Sequence, residues 1–293
     1  AYTISEPDIS PGDLSYTTTA RLNHYAFRLT VAEPTIERIR VALQNKQGLA
    51  PYNSLLSSHK HSVIFSFTGQ GATYAALAQE LYVTSTQFRA DISLFDGIAR
   101  QQGYPSFIPL VDGAVPDINQ LSATQSQVGL VSVQIALARL WRSWGVKPTA
   151  VIGHSLGEYA ALQVAGVLSI SDAIFLVGHR ARLLETHCQP YIHSMLAVSG
   201  TSAAIDPLLS VFSEEVEIAC SNSPRETVFA GRREVIDKLE AHLSGANIRC
   251  TKLQVAFAFH TAQVDPILDH LEDVAKVINF GAPQIPILSS YLG

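Results

Sequence analysis

Residues 150–162 read A-V-I-G-H-S-L-G-E-Y-A-A-L. The first four, Ala150 to Gly153, have the apolar character of a short buried strand, and a helix is expected over 155–165. Between them lies Gly153-His154-Ser155-Leu156-Gly157, a G-x-S-x-G pattern. A serine on a strand-to-helix turn of this kind is the arrangement of a nucleophile elbow. Glycines suit it because the turn is tight and neighbouring chain passes close. The hydroxyl of Ser155 then stands at a helix N-terminus, where the dipole favours negative charge. The N–H of Leu156 is placed to donate to a developing oxyanion.

Outward from this turn, strands and helices alternate. Residues 62–67 (SVIFSF) read as a buried strand ending in the turn Thr68-Gly69-Gln70-Gly71, with a helix expected over 74–82. Residues 124–144 carry a long apolar periodicity stopped by Gly145 and Pro148, and 171–184 a further helix with Ser169 or Ser171 as N-cap. Strand–helix alternation predicts an α/β class with a mainly parallel sheet. From 194 to 262 the rhythm changes: strands at 194–199, 216–219, 228–230 and 248–253, and helices at 203–212 and 233–243, describe a small α+β subdomain inserted in the larger one. Residues 1–60 form a small α/β appendage, with strand-like runs at 14–20 and 27–31, a helix over 34–44 and a loop over 48–61. The expected organisation is therefore a linker (1–60), a large subdomain (61–193 with 263–293) and a small one (194–262).

Composition narrows the function classes. A net charge of −5 and a pI near 6.1 argue against a nucleic-acid binder. Three irregularly spaced cysteines make neither a disulfide framework nor a zinc site and are expected as free thiols in a reducing compartment. The polar opening has no signal-peptide core, and no apolar run reaches the roughly 20 residues of a membrane span. A cytoplasmic protein without membrane contact is expected, and the start at Ala1 without Met suggests a piece of a longer chain.

Ser155 needs a base. Of the ten histidines, His154 adjoins the nucleophile, but on a tight turn its ring should point away. His260 follows the apolar stretch Val255-Ala256-Phe257-Ala258-Phe259, where it is either a base reaching the elbow or a satisfied core histidine. The turn at 68–71 offers a second oxyanion donor at Gln70 and lacks the Lys-Ser/Thr of a phosphate loop.

Taken in order, Phe67-Thr68-Gly69-Gln70-Gly71, Gly153-His154-Ser155-Leu156-Gly157-Glu158, Gly178-His179-Arg180-Ala181-Arg182, Asn222-Ser223-Pro224 and Phe257-Ala258-Phe259-His260 resemble the motifs of malonyl-CoA:acyl-carrier-protein acyltransferases, from about residue 62 to 293. Residues 13–28 resemble the linker between ketosynthase and acyltransferase in fungal iterative synthases of the non-reducing type. Ser155 favours the malonyl-loading domain over the starter-unit domain, whose elbow typically carries cysteine. The resemblance implies an acyltransferase fold: a large α/β-hydrolase-like parallel-sheet subdomain with a ferredoxin-like small one. It implies Ser155 and His260 as catalytic dyad, Gln70 and Leu156 as oxyanion donors, and Arg180 as holder of the malonyl carboxylate. Gln127 and Asn222 match polar positions around the site, and bulky Phe259 occupies the place that separates malonyl from methylmalonyl. Malonyl-CoA is the implied substrate, with no resident metal or redox cofactor. The implied partners are a ketosynthase and an acyl carrier protein bearing phosphopantetheine. The family usually continues beyond the equivalent of Gly293, so further helices and a strand are expected to complete the large subdomain. The competing readings are a serine esterase or thioesterase, which would need an acidic triad member between Ser155 and His260 in the chain, with Asp206, Glu214, Glu215, Glu217 and Asp237 available, and an inactive scaffold fragment.

Overall fold

Ser10 opens the first helix of the computed structural model, which describes residues 10–23, 31–45, 62–212 and 214–291. The chain divides into two units, residues 1–61 and 62–293. In the first, residues 14–20 are helical, not the strand expected from their β-branched content. Helix α1 (Pro11–Tyr16) has Pro11 in its first turn and runs into a π-helical turn over Thr17–Arg21. The Ser10 hydroxyl accepts from the Gly12 N–H, and the hydroxyls of Thr18 and Thr19 donate back to the carbonyls of Leu14 and Ser15. Capping and back-bonding thus satisfy the helix ends locally and override β propensity. Helix α2 (Ile36–Asn45) lies where periodicity puts it; the strand at 27–31 and loop at 48–61 fall outside the described residues or nearly so.

The second unit starts with β1 (Ile64–Phe67). The helix expected from residue 74 starts later, as α3 (Gln79–Thr84). Residues 75–78 form a turn in which Ala76 and Ala78 are left-handed, because the Leu77 N–H is taken by the Leu110 carbonyl and the Gln79 amide by the Asp112 carbonyl. Helices α4 (Thr86–Gln101) and α5 (Ile108–Val111) follow. Helix α6 (Ala123–Ser143) has a complete capping box between Ser122 and Gln125 and is buried along most of its length. Strand β2 (Ala150–Gly153) feeds α7 (Gly157–Val164), and α8 (Ile170–His187) is capped by Ser169. These helices enclose the larger core, with Phe88, Phe95, Phe107 and Ile135 fully buried.

The small sheet comprises β3 (His193–Ser199), β4 (Val216–Ser223), β5 (Glu226–Arg232) and β6 (Arg249–Lys252), with α9 (Ser202–Leu209) after β3 and α10 (Arg233–Gly245) after β5. Its antiparallel order β4-β5-β3-β6 is that of a ferredoxin-like split β-α-β unit. Alternation along β3 sends Leu196 and Val198 to the α10 side and Met195 with Ala197 to the opposite face, toward Phe257 and Phe259. Helix α11 (Leu268–Lys276) and β7 (Ile287–Leu288) close the described chain.

Strands β1, β2 and β7 are parallel, in the order β1-β2-β7. The register pairs Phe67 with Gly153, so the turn after β1 and the turn after β2 emerge side by side. Carboxyl ends of parallel strands are where such sheets place their sites.

Candidate active site

Ser155 sits at φ 53° and His260 at φ 63°, both in the left-handed region that non-glycine residues avoid. Such strain costs about 1–3 kcal/mol per residue and persists only where the surroundings enforce it. The helix expected from 155 consequently starts at Gly157. Crowding enforces the turn. A Cβ on Gly153 would stand 2.4 Å from the Glu158 backbone, and one on Gly157 2.3 Å from the Phe67 carbonyl oxygen. Gly69 lets the neighbouring turn close in: its Cβ would lie 3.1 Å from His154 Nδ1 and 3.4 Å from Ser155 Cβ. Gly71 faces open space. Gly157→Ala is therefore expected to destabilise the chain by about 1–3 kcal/mol through overpacking, whereas Gly71→Ala meets nothing. Thermal melts of the two variants check this, and a wild-type melting temperature for Gly157→Ala would contradict it.

Ser155 Oγ lies 2.7 Å from His260 Nε2. His260 stands after β6 on the loop packed against the inner face of the small sheet, so the contact joins the two sheets' territories across 105 residues. The residue keeps contact with solvent, but its imidazole is set among protein atoms. This desolvation, first, then the charges of Arg180 and His154, hold its pKa below the usual histidine value; Glu158 pulls the other way. Neutral imidazole able to accept a proton is the result. Among the described residues no carboxylate hydrogen-bonds His260: Glu217 accepts from the Ala262 N–H, and Asp237 pairs with Lys252.

His154 does point away from Ser155. Its Nε2 meets Asn222 Oδ1 at 3.1 Å, and Asn222 Nδ2 donates to Glu226 at 3.1 Å. The carboxylate can only accept, so the amide orientation makes His154 Nε2 the donor. Strand β4 runs four residues past its expected end and is bulged, which carries Asn222 to the elbow. Among the described residues neither the Gln70 N–H nor the Leu156 N–H has a partner within the protein.

Arg180 projects from α8 into the same site. Its Nη1 donates to Gln127 Oε1 at 2.5 Å, and its guanidinium lies 5.1 Å from the centre of the Phe259 ring. Gln127 is wholly buried, and its Nε2 has no partner among the described residues. Burial lowers the Arg180 pKa, with nearby Tyr159 opposing; a guanidinium nevertheless stays charged. Arg182, by contrast, donates to the Gly103 carbonyl and lies over the Tyr104 ring, away from the site.

Two cavities meet at Ser155 and His260. One, of about 280 Å³, is bounded by the 68–72 turn and by Met195, Ala197, Val228, Val255 and Phe259. The other, of about 930 Å³, holds Arg180, Tyr159 and Glu158. The geometry thus offers a hydroxyl hydrogen-bonded to an imidazole, two N–H groups without a partner among the described residues and a half-buried guanidinium beside a cavity, parts that could together move an anionic acyl group. Sequence reasoning missed the Phe259–Arg180 contact, Glu226, and Gln134, whose amide donates to the Thr68 carbonyl. The spacing of Gln134 from Gln127, seven residues on one helix, was the available signal.

Residues 64–293 match the family model of the acyl transferase domain. The chain is 46% identical, over 98% of its length, to the conidial pigment polyketide synthase PfmaE of Pestalotiopsis fici, and 44% identical over its full length to the non-reducing polyketide synthase terA of Aspergillus terreus. It spans 13% and 14% of those proteins. Among solved structures it is similar to the acyltransferase domain from module 8 of the salinomycin polyketide synthase, with 26% identity, a TM-score of 0.79, and coverage of 98% of this chain and 69% of that one. It is also similar to a complex of a type II acyl-carrier protein with its malonyl-transacylase, with 28% identity, a TM-score of 0.66, and coverage of 78% of this chain and 74% of that one. No helix among the described residues is long and apolar enough to cross a membrane.

Proposed function

The chain belongs to the acyl transferase domain family, and on that premise we propose that it moves malonyl from malonyl-CoA, through an ester on Ser155, to the phosphopantetheine thiol of an acyl carrier protein. The setting is the extender-loading step of a non-reducing polyketide synthase, with the carrier and a ketosynthase as partner domains. The observation that carries this reading is the 2.7 Å Ser155–His260 contact with Arg180 in the adjoining cavity.

His260 Nε2 takes the Ser155 proton as Oγ attacks the thioester carbonyl. The oxyanion is held by the Gln70 and Leu156 N–H groups. The C–S bond breaks, and the CoA sulfur receives the proton from His260. The carrier thiol then loses its proton to His260 and attacks the ester. As the ester bond breaks, Ser155 recovers a proton from His260.

Arg180 gives the acyl group its identity. A guanidinium grips a carboxylate through parallel charge-assisted bonds, and Gln127 and Phe259 hold that guanidinium in place. Phe259 therefore does two things: its ring fills space an extra methyl would need, and it supports the cation. The test is Arg180→Ala, offered malonyl-CoA and acetyl-CoA, with adducts followed by intact mass. Losing two charged hydrogen bonds is expected to slow malonyl loading by about 100-fold, while acetyl loading holds or rises. Unchanged preference for malonyl would sink the assignment.

A further inference from the structure

Helix α6 serves the site twice. Gln127 and Gln134 are seven residues apart, two turns along one face. Gln127 accepts from Arg180, and Gln134 Nε2 donates to the Thr68 carbonyl at 2.8 Å, with the Thr68 hydroxyl 3.3 Å away. Gln134 is 7% exposed, and its Oε1 has no partner among the described residues. An apolar side chain of similar shape would fill this place without burying an orphan acceptor. The one gain the carboxamide shows for that cost is its hold on Thr68.

That hold lies where it matters. The Thr68 carbonyl belongs to the peptide immediately before Gly69, and the next peptide carries the Gln70 N–H. Gly69 has the backbone freedom to let these two planes pivot. The second plane is restrained by the Ala72 N–H on the Gly69 carbonyl, and the chain behind by the His154 N–H on the Phe67 carbonyl. Gln134 restrains the first plane.

We propose that Gln134 is a positioning residue for the oxyanion pocket, holding the Thr68 peptide so that the Gln70 N–H aims at the reacting carbonyl beside Ser155. This rests on the oxyanion role proposed for Gln70, but not on malonyl as the substrate. The test compares the 293-residue chain with Gln134→Met, which keeps shape without a donor, and Gln134→Glu, which donates only when protonated. Each is treated with an alkyl fluorophosphonate, which phosphonylates the serine through the same pocket, and separately with malonyl-CoA; rates are read by intact mass. Gln134→Met is expected to react about 10- to 100-fold more slowly with the phosphonate, and to acylate more slowly at an unchanged half-saturating malonyl-CoA concentration. The rate of Gln134→Glu, divided by that of wild type, should be near one at low pH and fall toward the methionine level as the acid ionises. A general loss of packing would not produce that pH-dependent rescue. Gln134→Met labelled within twofold of wild type, or a Gln134→Glu ratio flat with pH at the methionine level, overturns the proposal. Slowed phosphonylation in Gln134→Met with no malonyl uptake by wild type would instead remove malonyl as substrate and leave the positioning role standing.

Discussion

Ser155→Ala is expected to take up no malonyl mass from malonyl-CoA and to lose at least about 10⁴-fold in transfer to a carrier thiol, because the covalent route disappears with the hydroxyl. Folding should survive. Alanine accepts the left-handed backbone at 155 at a cost like that of serine, and the turn is set by Gly153, Gly157 and the Phe67 carbonyl rather than by the hydroxyl. His260 Nε2 loses its 2.7 Å partner, but the imidazole keeps its place between the sheets. The measurement is intact mass after brief incubation, wild type against variant, with a thermal melt as control. An adduct of equal yield on a folded Ser155→Ala would mean that another nucleophile carries the acyl group. Cys220 lines both cavities and would be the first residue to examine, although burial raises its pKa and disfavours the thiolate.

His260→Ala is the second large effect. General base catalysis by a positioned imidazole contributes about 10²–10⁴-fold, and acylation should fall by that factor while Ser155 remains present. The sign of the pH dependence follows from the causes named above. In the proposed mechanism neutral imidazole is the active form, so wild-type acylation is expected to fall as pH drops through the His260 pKa and to level off above it. Burial first, then Arg180 and His154, put that midpoint below the ordinary histidine value of 6.5. In Arg180→Ala one of these cationic neighbours is gone, and the midpoint seen with acetyl-CoA should move up. Single-turnover acylation rates between about pH 5 and 8, the range where histidine titrates, decide the matter. A midpoint above that of a free histidine, or one unmoved by Arg180→Ala, would count against His260 as the base.

Much of the fold can be read locally. The β2-to-α7 elbow is legible because two glycines, a short apolar run and a helical periodicity are all written within 150–165. The four strands and two helices of the antiparallel sheet are legible in their order along the chain, although β4 runs past its expected end through its bulges. The first helix is not: Leu14–Ala20 looks like a strand by propensity, and what decides is a Ser10 cap and threonine back-bonds. The turn at 75–78 is not, because the Leu77 N–H finds its partner at Leu110.

The same division runs through the site. The sequence by itself determined the turn that carries Ser155, the α/β class and, through ordered motifs, the set of residues to look for, since these depend on neighbours a few positions away. Only the tertiary structure decided what those residues do to each other: His154 turned to Asn222, Phe259 laid against the guanidinium of Arg180, and Gln134 fastened to Thr68. The physical reason is that each of these contacts forms only where elements distant in the chain pack against each other. For these side chains the partners are 66 to 79 positions away in the chain, so no local pattern names them.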